Sequence, residues 1–208
     1  MQKLIPVHHS VVDWDFEHGA TYRSLSASRY VSAPTSLRFL KPTAYTWYNT
    51  VLCRLPDTLC LPQGEVRNWL YDSLSSVRIA VFRNQAGLGS ADFTNTYFCH
   101  FSTTKVNLVR YLNNVYSLRD STPLSCPINV WVHFRIFWYN GKTPGEVPAL
   151  CVDVYRDVAG EWVKQGSTLY DTSNSWKDSA TNRAGFMAST EYNVAQYWDD
   201  TEIWGPAP

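Results

Sequence analysis

The chain has no surplus of either charge. Its 208 residues carry 18 Lys plus Arg against 18 Asp plus Glu. A nucleic-acid-binding protein normally shows a basic excess, so this balance excludes that partner class as an expectation. It also leaves no polybasic handle for an anionic membrane. Only 17% of residues are charged. No segment approaches the roughly 20 apolar residues of a membrane-spanning helix. No Asn-x-Ser/Thr acceptor occurs, so N-glycosylation is not expected. The opening Met1-Gln2-Lys3-Leu4-Ile5-Pro6-Val7-His8-His9 lacks the apolar stretch of a secretory signal. Long amphipathic helical patterns, internal repeats and low-complexity tracts are missing as well, which predicts a single domain over residues 1–208.

Cysteine is sparse and its spacing is uninformative. The five are Cys53, Cys60, Cys99, Cys126 and Cys151, with no Cys-x-x-Cys pair, so a zinc site of the usual spacing is excluded. Cys53 and Cys60 flank a Pro-containing turn and could bridge in an oxidising compartment. Cys99 and Cys151 lie in apolar runs and read as small buried hydrophobes. Mostly free thiols are expected.

Aromatic residues, by contrast, are abundant. They make up 15% of the chain, with 9 Trp and 13 Tyr. Such rings suit a β-rich core, and a subset can serve as exposed stacking platforms. Strand-like runs recur at 11–17, 29–40, 46–55, 64–72, 76–83, 95–102, 105–112, 128–139, 147–157, 161–165, 183–189 and 194–204. Asn140-Gly141 and Pro144-Gly145 mark a hairpin between two of them, and Ala159-Gly160 marks another. Helical turns are predicted only around Ser73–Ser76 or Thr172–Lys177. Many short strands without intervening helices predict an all-β, two-sheet antiparallel sandwich.

Alternation along two runs defines the candidate site. From Val130, the residues Val130, Val132, Phe134, Ile136 and Trp138 share one face, and Trp131, His133, Arg135, Phe137 and Tyr139 share the other. From Gly64, the residues Arg67, Trp69 and Tyr71 alternate against Val66, Asn68 and Leu70. A sheet face carrying Arg, His, Trp and Tyr reads as the floor of a polar-ligand groove. Arg67, Trp69, Tyr71, His133, Arg135 and Tyr139 are therefore expected on one concave face as ligand-binding residues. The competing reading has the arginines paired with acids at a sandwich edge, because an unpaired buried guanidinium is costly.

Two further runs carry acidic residues among rings: Val11 to Gly19 and Tyr197 to Trp204. Acids in a strand must be solvated, paired or bound to a cation. Their position at opposite ends of the chain predicts terminal strands that meet in one sheet.

The order of several motifs resembles the concanavalin A-like jelly-roll superfamily of lectin, laminin-G-like and carbohydrate-binding modules. They are "WDFEHG" at Trp14–Gly19 followed by "SAPTSLRF" at Ser32–Phe39, the central "CVDVYRDVAGEWVKQGS" at Cys151–Ser167, and the closing "NRAGFMAS…QYWDDTEIW" at Asn182–Trp204. The resemblance implies a jelly-roll fold and a structural calcium ion held by Glu17 and by Asp199 or Asp200, since Ca²⁺ takes carboxylate and carbonyl oxygens.

The superfamily contains binders, enzymes and structural parts, so function does not follow from fold. Its hydrolases carry a Glu-x-Asp-x-x-Glu strand that is absent here. A lyase needs a base such as His or Tyr beside charge-neutralising groups, which His133 with Arg135 and Tyr139, or His100, could supply. The sequence thus leans to a non-catalytic carbohydrate-binding domain. The alternatives are a structural or decoration protein of a larger assembly such as a virion, with homo-oligomer or assembly partners, and a polysaccharide lyase or glycoside hydrolase. A carbohydrate ligand would place the chain outside cells or on a virion surface.

Overall fold

A computed structural model describes residues 1–6, 23–32, 36–40, 49–54, 63–72, 77–84, 96–113, 115–173, 183–189 and 195–205. Among them are fifteen strands and no helix. In chain order these are β1 (Gln2–Pro6), β2 (Arg23–Ser26), β3 (Ser36–Leu40), β4 (Asn49–Arg54), β5 (Gly64–Asp72), β6 (Val77–Asn84), β7 (Thr96–Phe101) and β8 (Lys105–Leu112). They continue with β9 (Val115–Pro123), β10 (Trp131–Lys142), β11 (Pro148–Val158), β12 (Glu161–Lys164), β13 (Leu169–Asp171), β14 (Arg183–Ser189) and β15 (Ala195–Gly205).

The strands form two antiparallel sheets. The large sheet runs β12-β11-β10-β5-β15-β3-β2, with β1 also on β15 and β13 also on β11. The small sheet runs β4-β14-β6-β7-β8-β9. The first strand pairs with the last, Gln2 opposite Gly205, as expected for the terminal strands. The pairing strand is Gln2–Pro6, however, and the acidic run 11–17 lies outside the described residues.

Period-two alternation decides which residues are interior. On β10, Val132, Phe134, Ile136 and Trp138 are buried while the residues between them are half-exposed. Val66, Leu70, Leu150, Val152, Val154, Trp198 and Ile203 join them from neighbouring strands. The small sheet contributes Tyr97, Cys99, Phe101, Val106 and Leu108. Phe101 meets Phe134 with ring centroids 5.0 Å apart, so the two sheets interdigitate. Cys99, Cys126 and Cys151 are buried, with Cys99 and Cys151 as free thiols, and the alternative of a Cys53–Cys60 bridge lies outside the described side chains.

One polar cluster also joins the sheets. Asp171 of β13 is buried and accepts a 2.5 Å hydrogen bond from the Tyr97 hydroxyl of β7. Arg119 of β9 contacts the same carboxylate at 2.9 Å, and Arg110 of β8 lies 3.6 Å away. Burial and the neighbouring Asp171 raise the Tyr97 pKa well above its ordinary value, so the phenol stays a donor.

The turns partly follow their sequence signals. Ala159 and Gly160 have φ of 55° and 90°, and Val158 pairs with Glu161, so this is a two-residue hairpin. Asp157 accepts the Gly160 N–H at 2.8 Å and fixes it. The Asn140-Gly141 signal misleads. β10 continues through Lys142, and the turn lies at Thr143–Val147, with Glu146 at φ 62°. Gly141 is needed for a close approach instead, because a Cβ there would sit 2.9 Å from the Cys151 sulfur. Of the helical turns expected near Ser73–Ser76 and Thr172–Lys177, residues 73–76 and 174–177 lie outside the described residues.

Candidate functional site

The strand registers place all six residues singled out from sequence on the face of the large sheet that points away from the core. β10 and β5 pair Trp131 with Tyr71, His133 with Trp69, Arg135 with Arg67 and Phe137 with Glu65. On the far side of β10, β11 sets Tyr155 beside Arg135, Asp153 beside Phe137 and Cys151 beside Tyr139. On the far side of β5, β15 sets Tyr197 beside Tyr71, Asp199 beside Trp69, Glu202 beside Arg67 and Trp204 beside Glu65. A register shift between Asp199 and Glu202, with Asp200 at φ 44°, is the bulge that keeps both acids on this face. β12 adds Trp162 opposite Asp157 and Lys164 opposite Tyr155.

The face is thus a lattice of rows crossing the strands. The central row stacks its rings. Trp69 and His133 lie 4.4 Å apart with planes 12° from parallel, and Trp162 tilts against His133 at 4.6 Å. His133 also contacts Asp157 at 3.3 Å. The next row holds the two arginines. Cross-strand like charges repel, and here a single acid offsets the repulsion. Glu65 is fully buried, contacts the Arg67 Nε and lies 2.7 Å from the Arg135 Nε. The Arg67 guanidinium lies 4.3 Å from the Trp204 ring centroid and 5.7 Å from that of Trp162, and the Arg135 guanidinium lies 4.9 Å from that of Tyr155. Both arginine side chains keep 23% exposure, although the Arg135 Nε itself is buried.

The six residues are not equally available. Arg67, Trp69, His133 and Arg135 form one contiguous group. Tyr71 is buried beneath Arg29, whose guanidinium sits 4.2 Å over its ring, and contacts Trp131 and Tyr197. Tyr139 lies at the other end of β10, stacked on Phe137 at 5.1 Å. At about 3.3 Å per residue, Tyr139 stands roughly 20 Å from His133 along the strand. The competing reading is met in part: both arginines contact an acid, Glu65, but at the middle of the sheet and not at an edge.

Several contributors were missed by the sequence reading. Glu65, Tyr155, Trp162, Glu202 and Trp204 all belong to the lattice. Extending the Arg67-Trp69-Tyr71 parity back two residues finds Glu65. Register counted from the Ala159-Gly160 hairpin finds Trp162.

Titration behaviour follows from burial. Desolvation lowers the His133 pKa, more than Asp157 and Glu202 raise it, so the ring is neutral at pH 7. The Tyr139 phenol is pushed up to about 12 by burial and by Asp153. A histidine whose native pKa lies below its unfolded value of ~6.5 contributes stability that is present above that value and lost as pH falls. His100 shifts in the same direction, so wild type alone does not isolate the effect. Urea unfolding of wild type and His133→Phe at pH 7.5 and 5.5 should show the smaller acid-induced loss in the variant. Equal losses would place His133 in an ordinary solvated environment.

For a metal the described donor set fits poorly. Asp199 is buried, and its carboxylate accepts the N–H groups of Val31 at 2.6 Å, Ser32 at 3.3 Å and Asp200 at 2.9 Å. Asp200 accepts the Ser32 hydroxyl. These oxygens cap a turn and would have to exchange their donors for a cation. Glu17 lies outside the described residues. Among the described residues no group of three or more His, Cys, Asp or Glu is arranged to hold an ion.

No protein-family model matches the chain, and no curated protein matches it in sequence. Solved structures do match in shape. The carbohydrate-binding module CBM66 from Bacillus subtilis superposes with a TM-score of 0.56 at 8% identity, over 93% of this chain and 96% of that one. The exoplasmic/lumenal domain of VIP36, in a Ca²⁺/Man3GlcNAc-bound form, gives 0.52 at 11% identity, over 94% and 87%. The PL-14 alginate lyase from Aplysia kurodai gives 0.51 at 11% identity, over 89% and 88%. The class is therefore defined by fold alone: a two-sheet antiparallel jelly roll, shared with a carbohydrate-binding module, a lectin domain and a lyase.

Proposed function

We propose that this chain is a non-catalytic carbohydrate-binding domain whose ligand lies on the outer face of the large sheet. The observation that carries the reading is the half-exposed group of Trp69, His133, Arg67 and Arg135, built on the face opposite the core and flanked by Trp162, Tyr155 and Trp204. Rings provide apolar area for sugar C–H groups, and guanidinium groups provide donors for oxygens. Similarity in shape to CBM66 and to the VIP36 lectin domain supports the same class.

The lyase reading, favoured by the similarity to the PL-14 enzyme, finds no support in its three candidate bases among the described residues, since His100 lies on β7 of the small sheet, away from the other two. His133 and Tyr139 are too far apart to act on one bond, and the high Tyr139 pKa makes it a poor base at neutral pH. A hydrolase needs two carboxylates flanking the bond. Glu65 is buried beneath two arginines, and Asp153 is held by Lys164 at 2.6 Å.

Trp69→Ala should weaken glycan binding about tenfold or more, the scale of an aromatic hot spot. The ring also stacks on His133, so the variant should lose about 1 kcal/mol of stability and a few degrees of Tm. Calorimetric titration with a glycan that the wild type binds, alongside a thermal melt, checks both. Full retention of affinity would remove Trp69 from the site.

A calcium ion remains attached to this class through the bound form of VIP36. The donors already on Asp199 lead us to expect equal Tm values in excess calcium and in chelator. A higher Tm in calcium would instead require ligands such as Glu17 and would follow from binding to the native state alone.

A second reading, a part of a larger assembly, draws on β9. This edge strand of the small sheet exposes Val115, Tyr116 and Leu118, and such edges invite pairing. A native mass equal to one chain at micromolar concentration would count against self-assembly.

A further inference from the structure

We propose that Arg67 and Arg135 together receive an anionic substituent, a carboxylate or a sulfate, on the bound glycan. This rests on the glycan-binding reading above and narrows its ligand class. The argument begins with an imbalance of donors. Both guanidinium groups reach the buried Glu65 carboxylate through their Nε atoms. The Arg67 Nη1 lies 3.9 Å from Glu202, beyond hydrogen-bond length, and the four terminal nitrogens have no hydrogen-bond acceptor among the described residues. Glu65 is a single charge set against two, and Glu202, 3.9 Å from the Arg67 Nη1, offsets part of the remainder, so the imbalance lies in hydrogen-bond donors more than in charge.

The acids around it are engaged elsewhere. Asp153 takes Lys164 and the Thr168 hydroxyl. Asp157 takes His133 and the Gly160 amide. Asp199 takes backbone amides, and Glu202 accepts the Trp204 indole at 2.9 Å. The face as a whole is close to neutral, so selection would arise from local donors and not from a long-range field.

Geometry makes the pair a receptor and not merely two cations. Arg67 and Arg135 face each other directly across adjacent strands, which brings their Cβ atoms to about 5 Å. Glu65 accepts the Arg67 Nε–H and lies in ion-pair contact with the Arg135 Nε at 2.7 Å, and Trp204, Trp162 and Tyr155 flank the guanidinium planes. The terminal nitrogens are thereby left to meet an oxyanion in the planar, forked manner that guanidinium suits. Glu65 acts as the positioning residue, since removing it would leave the pair to repel.

The test uses the intact chain and three kinds of probe. These are oligogalacturonate, its carboxyl-reduced neutral counterpart, and a sulfated oligosaccharide, with neutral cello- and xylo-oligosaccharides as reference. The expected result is binding to an acidic probe about tenfold or more tighter than to its neutral counterpart, weakening as salt rises. Preference for the uronate or for the sulfated probe identifies which anion is received. Arg67→Lys and Arg135→Lys keep the charge but lose the fork, so each should narrow the acidic-to-neutral ratio. Equal affinity for acidic and carboxyl-reduced probes would overturn the inference and leave the glycan reading standing. An unchanged ratio in both folded lysine variants would place the anion elsewhere and also overturn it. Failure to bind any probe, neutral or acidic, would overturn the glycan reading itself.

Discussion

Replacing Glu65 with Leu is expected to lower the unfolding free energy by about 3 kcal/mol, toward the low end of the cost of breaking a buried ion pair. The carboxylate is fully buried, whereas its two partners retain partial solvent contact, and that contact softens the loss. Without the acid, two guanidinium groups face each other on adjacent strands with only Glu202, 3.9 Å from the Arg67 Nη1, to offset them. Glu65→Gln keeps the shape and one acceptor, so it should cost less. A second substitution, Arg135→Leu in the Glu65→Leu background, should recover part of the loss because it removes the repulsion. Such coupling between neighbours is read from a double-mutant cycle in urea. A cost under about 1 kcal/mol with no coupling would assign the triad to ordinary surface ion pairs.

Asp171→Ala should be at least as damaging, by about 3–5 kcal/mol, yet far from the candidate ligand face. The buried carboxylate accepts Tyr97, contacts Arg119 and takes the Ser173 amide and hydroxyl at 2.9 and 2.6 Å. Removing it takes the Asp171 acceptor from a buried phenol and the carboxylate from Arg119 and Arg110, each a penalty in itself. Because Tyr97, Arg110 and Arg119 belong to the small sheet and Asp171 to the large one, the loss should weaken attachment between the sheets. Denaturant unfolding measures it. If Asp171→Ala were neutral, the cluster would contribute nothing to joining the sheets.

The contrast between these residues shows what the sequence discloses. Alternation exposed the core face of β10 without ambiguity, because Val132, Phe134, Ile136 and Trp138 recur at period two, and the strand at Gly64–Asp72 emerged with its full limits. The same alternation puts Arg67, Trp69, His133 and Arg135 on one face, as the register of β5 and β10 does. Glu65 escaped because its role depends on register: it lies diagonal to Arg135 across the strand pair, and nothing along the chain states which residues become neighbours. Trp204 and Glu202 escaped for the same reason, compounded by the bulge at Asp200. β9 and β13 were missed because local signals are weak there. β9 is an edge strand whose apolar residues do not alternate and which ends in Pro123, and β13 has three residues whose meaning comes from Asp171 reaching across the core. Asn140-Gly141 was read as a turn although packing against Cys151 is what requires the glycine.

The most direct test of the account is a glycan titration followed by NMR on the isotopically labelled chain. The account predicts that the indole N–H resonances of Trp69 and Trp162 and the Nε–H resonances of Arg67 and Arg135 move on binding, while the amides of Val106 to Leu108 in the small sheet stay in place. Saturable binding that moves the small-sheet amides and leaves those four side chains unperturbed would contradict it.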